Sequence, residues 1–193
     1  MAHITLADLK RYLGGGMDDD DVTDDDDLLQ DLLDAASARV TELAGDRVFT
    51  LPEADAVRSF YPEPAVRGWM VRFSEDLHVV TSVAIGTRII PASDYELQPR
   101  NDTPKDGLRF TDDVMVDPDV LVKVTGRWCY SEAVPNDVKM ATRRLAAYYY
   151  RERSSQEFEV QGNEETGQRK ISSAEPRQIA QLLARYRVRP LTI

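Results

Sequence analysis

The period of the apolar residues changes twice along this chain, and that change sets what it can fold into. Between about 24 and 44, Leu28, Leu29, Leu32, Leu33, Ala36, Val40 and Leu43 recur at three- and four-residue intervals, and Gly45 stands where a helix would stop. After Gly45 the pattern becomes that of strands. Trp69, Val71 and Phe73 alternate with Met70 and Arg72, and Val79, Val80, Val83, Ile85, Ile89 and Ile90 are β-branched, with Gly86-Thr87 as a turn between them. Turn chemistry at Pro91, Pro99-Arg100-Asn101-Asp102, Pro104 and Asp106-Gly107 then separates short apolar runs at 95–97, 108–110, 114–116 and 120–124. From Pro135-Asn136-Asp137 the helical period returns. Val138, Ala141, Leu145, Ala146, Tyr148 and Tyr149 share a face to about residue 157.

The ends of the chain fit around this frame. Thr5 can cap a short helix bearing Leu6, Leu9 and Leu13, which Gly14, Gly15 and Gly16 stop. The polar stretch 161–174 has the composition of a linker, and Pro176 opens an amphipathic segment with Ile179, Leu182, Leu183 and Tyr186. The two long helices must bury their apolar stripes, most simply against each other. The expected fold class is therefore α+β, a helical bundle core with an inserted small antiparallel β region and a C-terminal arm. The expected segments are 1–47 for the first bundle helices, 48–131 for the β insertion, 132–160 for the long helix, and 161–193 for the linker and arm.

Charge adds a second constraint. The 193 residues carry 34 acidic and 24 basic side chains, a formal charge of −10, which argues against a protein that grips duplex DNA through phosphate contacts. The charge is polarised. Residues 1–97 hold 8 basic and 20 acidic side chains, and residues 135–193 hold 11 and 7. Much of the acidity lies in Asp18 to Asp21 and Asp24 to Asp27. The last of these sit where carboxylates favour a helix N-terminus. No apolar run approaches the ~20 residues of a membrane helix, so a soluble protein made in the cytoplasm, with no membrane partner, is expected.

Catalytic chemistry finds little support in the residues. His3 and His78 are the only histidines and Cys129 the only cysteine, so neither a histidine-based triad nor a thiolate zinc site is supported. Cys129 between aromatic residues reads as core filling. Counted from Asp18 as an EF-hand loop, the sixth position is Thr23 and the twelfth Leu29, where Gly and Glu are needed. Tyr148, Tyr149 and Tyr150 beside Arg151 do not form one stacking platform, since three consecutive helical positions span about 200°. No catalytic residue, metal or cofactor is assigned.

In their order along the chain, the segments LADLKRYL, DDLLQDLLDAASARVTELAGDRVF, SVAIGTRIIPASDYEL, VTGRWCYSEAVPNDVKMATRRLAAYYYRER and PRQIAQLLARYR cover most of residues 4–188. In these segments the chain resembles the head-tail connector, or adaptor, proteins of tailed bacteriophages. The resemblance implies a non-enzymatic virion protein, assembled in the host cytoplasm, that forms a ring under the portal at the head-tail interface and has the portal's dodecameric symmetry. The free subunit would be monomeric, with its tail ordered on docking. Such a ring extends the channel through which DNA passes without specific binding, and it docks the next connector (stopper) or a tail protein. It implies portal binding by the C-terminal segment, here Arg177, Leu182, Leu183, Arg185, Tyr186, Arg187, Arg189 and Leu191. It also implies subunit contacts by the helical core, here Arg143, Arg144, Tyr148, Tyr150 and Arg151. The aspartate run exceeds the family pattern. Because an acidic wall repels phosphate, Asp18, Asp19, Asp20, Asp21, Asp24 and Asp25 are expected to face the channel. The alternatives are another virion completion protein, of tail-completion or stopper type, and a metal-dependent cytoplasmic enzyme using the aspartates.

Overall fold

The computed structural model describes residues 2–14, 26–157 and 177–187. It divides into two compact units, one of residues 1–46 with 135–193 and one of residues 47–134.

The helical unit holds α1 (Leu6–Leu13), α2 (Asp26–Leu43), α3 (Asn136–Glu157) and α4 (Arg177–Leu183), the last followed by a 3₁₀ turn at Ala184–Tyr186. A capping box starts α1. The Thr5 hydroxyl accepts from the Asp8 amide at 3.1 Å, and the Asp8 carboxylate accepts from the Thr5 amide at 3.3 Å. The Thr5 hydroxyl also donates to the Asp8 carboxylate at 2.9 Å, and this bond, followed by that from the Thr5 amide, holds the Asp8 carboxyl below its ordinary range. The end of α2 turns through Gly45 and Asp46, both left-handed at φ 80° and 59°. Leu29, Leu33, Ala36 and Val40 of α2 and Val138, Ala141, Leu145 and Ala146 of α3 are fully buried, and the two helices pack on each other. Ile179, Leu183 and Tyr186 are buried as well, as α4 packs on α3 and α2.

The second unit is a seven-stranded antiparallel sheet with the path β1-β7-β3-β6-β5. Its strands are β1 (Ala56–Phe60), β2 (Glu63–Pro64), β3 (Trp69–Ile85), β4 (Arg88–Ile90), β5 (Tyr95–Gln98), β6 (Lys105–Phe110) and β7 (Val122–Trp128). The seventeen-residue β3 organises it. Its first half pairs β2 and β6, its second half pairs β4 and β7, and Leu77 pairs with both Lys105 and Trp128. Three register shifts bend it, one against β6 between Arg72 and Leu77 and two against β7, between Leu77 and Val79 and between Val80 and Ser82. Val71, Phe73, Leu77, Val83, Leu108, Phe110, Val122, Val124 and Trp128 form the core of this unit. Phe60, Phe73 and Trp128 meet there, with ring centroids 5.1–5.7 Å apart.

This corrects the expected fold class. The chain is a sheet-dominated α+β protein, not a helical bundle core with a small β insertion: the seven strands make one sheet with a hydrophobic core of their own. Within the segment expected as linker and C-terminal helix or arm, Ile179, Leu183 and Tyr186 are buried in the helical unit. The physical reason is continuity. Polar residues at 74–76 and the three register shifts break the alternation, so one long strand reads as several short ones.

Candidate functional site

The outer faces of the two long helices carry opposite charge. On α2, Asp27, Asp31, Asp34, Ala35 and Ala38 are all exposed, and at 100° per residue they lie opposite the buried Leu29, Leu33 and Val40. On α3, Met140, Arg144 and Arg151 are exposed and fall within about 40° of one another around the axis. Among the described residues, the Asp27, Asp31 and Asp34 carboxylates and the Arg144 and Arg151 guanidinium groups have no hydrogen-bond or ion-pair partner. By contrast, Lys10 pairs with Asp26 at 2.5 Å and Arg39 with Glu42 at 2.7 Å.

Of the residues expected at a subunit interface, Arg144 and Arg151 thus share an exposed stripe, while Arg143, Tyr148 and Tyr150 are half-buried. The residues expected to bind a portal separate into two groups. Leu183 and Tyr186 are inside the helical unit and Leu182 is half-buried, whereas Arg177, Arg185 and Arg187 are exposed. Arg185 pairs with Asp137 and lies over the Tyr186 ring, 4.8 Å from its centroid. Arg187 donates to the Leu43 carbonyl at 3.3 Å, a cation at the C-terminus of α2. Arg189 and Leu191, and the expected channel-facing Asp18, Asp19, Asp20, Asp21, Asp24 and Asp25, lie outside the described residues. The acidic stripe on α2 was legible as i, i+4, i+7 spacing opposite the leucines, but the denser run before it masks that signal.

His3 has a place that its sequence position does not announce. It is 8% exposed and surrounded by hydroxyls. Its amide donates to Ser37 Oγ at 3.3 Å, Nδ1 lies 3.0 Å from Thr142 Oγ1, and Nε2 lies 3.2 Å from Thr41 Oγ1. Thr142 already donates its hydroxyl proton to the Val138 carbonyl at 2.9 Å, so it accepts from the ring. The proton therefore sits on Nδ1, and Nε2 accepts from Thr41. This neutral tautomer joins the N-terminal segment to α2 and α3, and burial lowers the imidazole pKa to about 4.

In the sheet unit, Cys129 is buried and burial pushes its thiol up, which suits packing and not nucleophilic attack. His78 lies on β3, with Nε2 3.3 Å from a Glu132 carboxylate oxygen. Among the described residues no group of three or more His, Cys, Asp or Glu side chains is placed to hold a metal ion, and no helix is long and apolar enough to cross a membrane.

The structure thus defines a class of fold, a sheet-dominated α+β chain with a separate helical unit whose outer faces are oppositely charged. The chain belongs to the head completion protein family, whose model matches residues 3–189. This is the connector or completion class that the sequence resembles. No curated protein matches it in sequence. Among solved structures it is similar to a chain in the virion of a native gene transfer agent particle, at 19% identity and a TM-score of 0.58, covering 98% of this chain and 92% of that one. It is also similar to a chain in the neck of the empty gene transfer agent particle computed with C6 symmetry, at 20% identity and a TM-score of 0.57, covering 98% and 92%. A third similar chain comes from the neck of the native particle computed with C12 symmetry, at 19% identity and a TM-score of 0.53, covering 98% and 91%.

Proposed function

We propose that this head completion protein assembles as a homo-oligomeric ring at the neck of a tailed, phage-like particle. There it extends the DNA channel below the portal and presents a docking surface to the next connector or the tail. Its role is structural and not enzymatic. The family match over residues 3–189 carries this reading. Two similar chains come from particle necks treated with sixfold and twelvefold symmetry, which supports a ring and, with the portal, a dodecamer. Arg177, Leu182, Arg185 and Arg187, with Arg189 and Leu191 beyond them, are the groups proposed to meet the portal. The acidic segment at 18–25 is proposed to keep passing DNA from adhering to the wall.

Deleting the gene from a producing strain is expected to leave DNA-filled heads without tails, visible by electron microscopy, with infectious or transfer titre at background. Complementation in trans should restore both. Tailed, DNA-retaining particles at normal numbers in the deletion strain would overturn the proposal.

A further inference from the structure

We infer that α2 of one copy docks antiparallel on α3 of the next, pairing Asp34 with Arg144, Asp27 with Arg151 and Ala38 with Met140. The inference rests on the ring proposed above and names the surface that would build it. Asp27 and Asp34 are seven residues apart, as are Arg144 and Arg151, so each pair spans about 10.5 Å along its helix. The antiparallel register that sets Asp34 against Arg144 also sets Asp27 against Arg151 and, four residues the other way, Ala38 against Met140. A parallel register forms two ion pairs only by exchanging partners, Asp27 with Arg144 and Asp34 with Arg151, and it moves Met140 away from Ala38. All six side chains are exposed. The four charged ones lack partners among the described residues, so docking breaks no existing pair.

The chemistry of the two stripes is complementary in shape as well as charge. Ala35 and Ala38 give α2 a low surface beside its carboxylates, and Met140, 37% exposed, is a flexible apolar side chain able to fill it. The acidic and basic stripes are different surfaces of one chain. Their pairing is therefore heterologous, each copy offering its α2 to one neighbour and its α3 to the other, the kind of contact that makes a ring when the rotation between copies closes. Exposed ion pairs are individually weak, so a single pair of copies would associate poorly, while a closed ring repeats the contact at every junction.

The test uses particles from a strain complemented with variants of the full chain. Asp27→Lys with Asp34→Lys, or Arg144→Glu with Arg151→Glu, should lower incorporation into particles by at least about tenfold, because like charges then face each other. All four substitutions together should restore it to within about twofold of the unmodified chain. Separately, Ala38→Cys with Met140→Cys in a Cys129→Ser background should give a ladder of disulfide-linked oligomers in oxidised particles, and either cysteine alone should stop at dimers or monomers. If the chain is incorporated normally but both charge reversals are silent and no ladder forms, the pairing is wrong and the ring reading stands. If the unmodified chain is absent from particles, both fall.

Discussion

Alanine at Gly126 is expected to destabilise the sheet unit more than any other single-methyl change. Gly126 lies on β7 opposite Val80, beside the two places where β3 shifts register against β7. A Cβ there would stand 2.1 Å from the Val79 carbonyl oxygen and 2.9 Å from Leu77 Cδ1. The first of these is backbone, held by the pairing of β3 with β7, and it cannot swing aside as a side-chain end can. Relief requires the two strands to part at the centre of the sheet, so the expected cost is about 4 kcal/mol. For a unit of this size that lowers Tm by at least about 15 °C. Gly107→Ala should rank second, since its Cβ would meet the Val71 carbonyl oxygen at 2.6 Å. Thr125→Ala, half-buried on the same strand, serves as the control and should cost no more than about 1 kcal/mol. Both tryptophans, Trp69 and Trp128, lie in this unit, so tryptophan fluorescence during thermal unfolding reports it directly. A Gly126→Ala protein that melts within a few degrees of the unmodified chain would show that the strands are not so closely apposed.

Those glycines show why part of this fold was not legible in the sequence. The helices were. The leucine stripe over 24–44 and the apolar face from 136 to 157 correspond to α2 at Asp26–Leu43 and α3 at Asn136–Glu157, because a 3.6-residue period persists through each. The sheet was legible as strand material but not as one sheet. Along β3 the inward residues run Val71, Phe73, Leu77 and then Val83, while between the register shifts Val80 turns inward and Val79 is exposed. A shift of register swaps the faces, and a swap of faces looks in sequence like the end of a strand. Gly107 and Gly126 sit at the crossings that make this possible, yet in sequence each resembles a turn residue. The candidate surface was half legible. Arg144 and Arg151 stand out as charges off an apolar face. The partner stripe of Asp27, Asp31 and Asp34 was hidden by the longer aspartate run before it, and nothing local to His3 signals burial beneath two helices. Its partners did leave a trace, since Ser37 and Thr41 place hydroxyls four residues apart on the inner face of α2.

Mild acid is expected to weaken the helical unit through His3. Its imidazole titrates at about 4 in the folded protein, below the ordinary value of 6.5, because burial disfavours the charged ring. The unfolded chain therefore binds a proton between pH 6.5 and 4 that the folded chain does not. The sign follows from that difference. His3's contribution is present in full above about pH 6.5 and is lost as pH falls toward 4, and the depression corresponds to about 3 kcal/mol across the window. Protonation also gives Nε2 a hydrogen that must point at Thr41, which now donates to it, so that hydroxyl has to turn away from its present bond. His3→Gln removes the titrating group and keeps an amide able to reach the same hydroxyls. The far-ultraviolet helix signal of the unmodified protein should therefore melt at progressively lower denaturant between pH 6.5 and 4. The variant's midpoint should stay nearly level over that range. With only two histidines in the chain, proton NMR can follow the His3 ring directly. A His3 resonance that titrates at pH 6 or above, or a variant whose stability falls as steeply as that of the unmodified chain, would show that the ring is not held neutral by burial between α2 and α3.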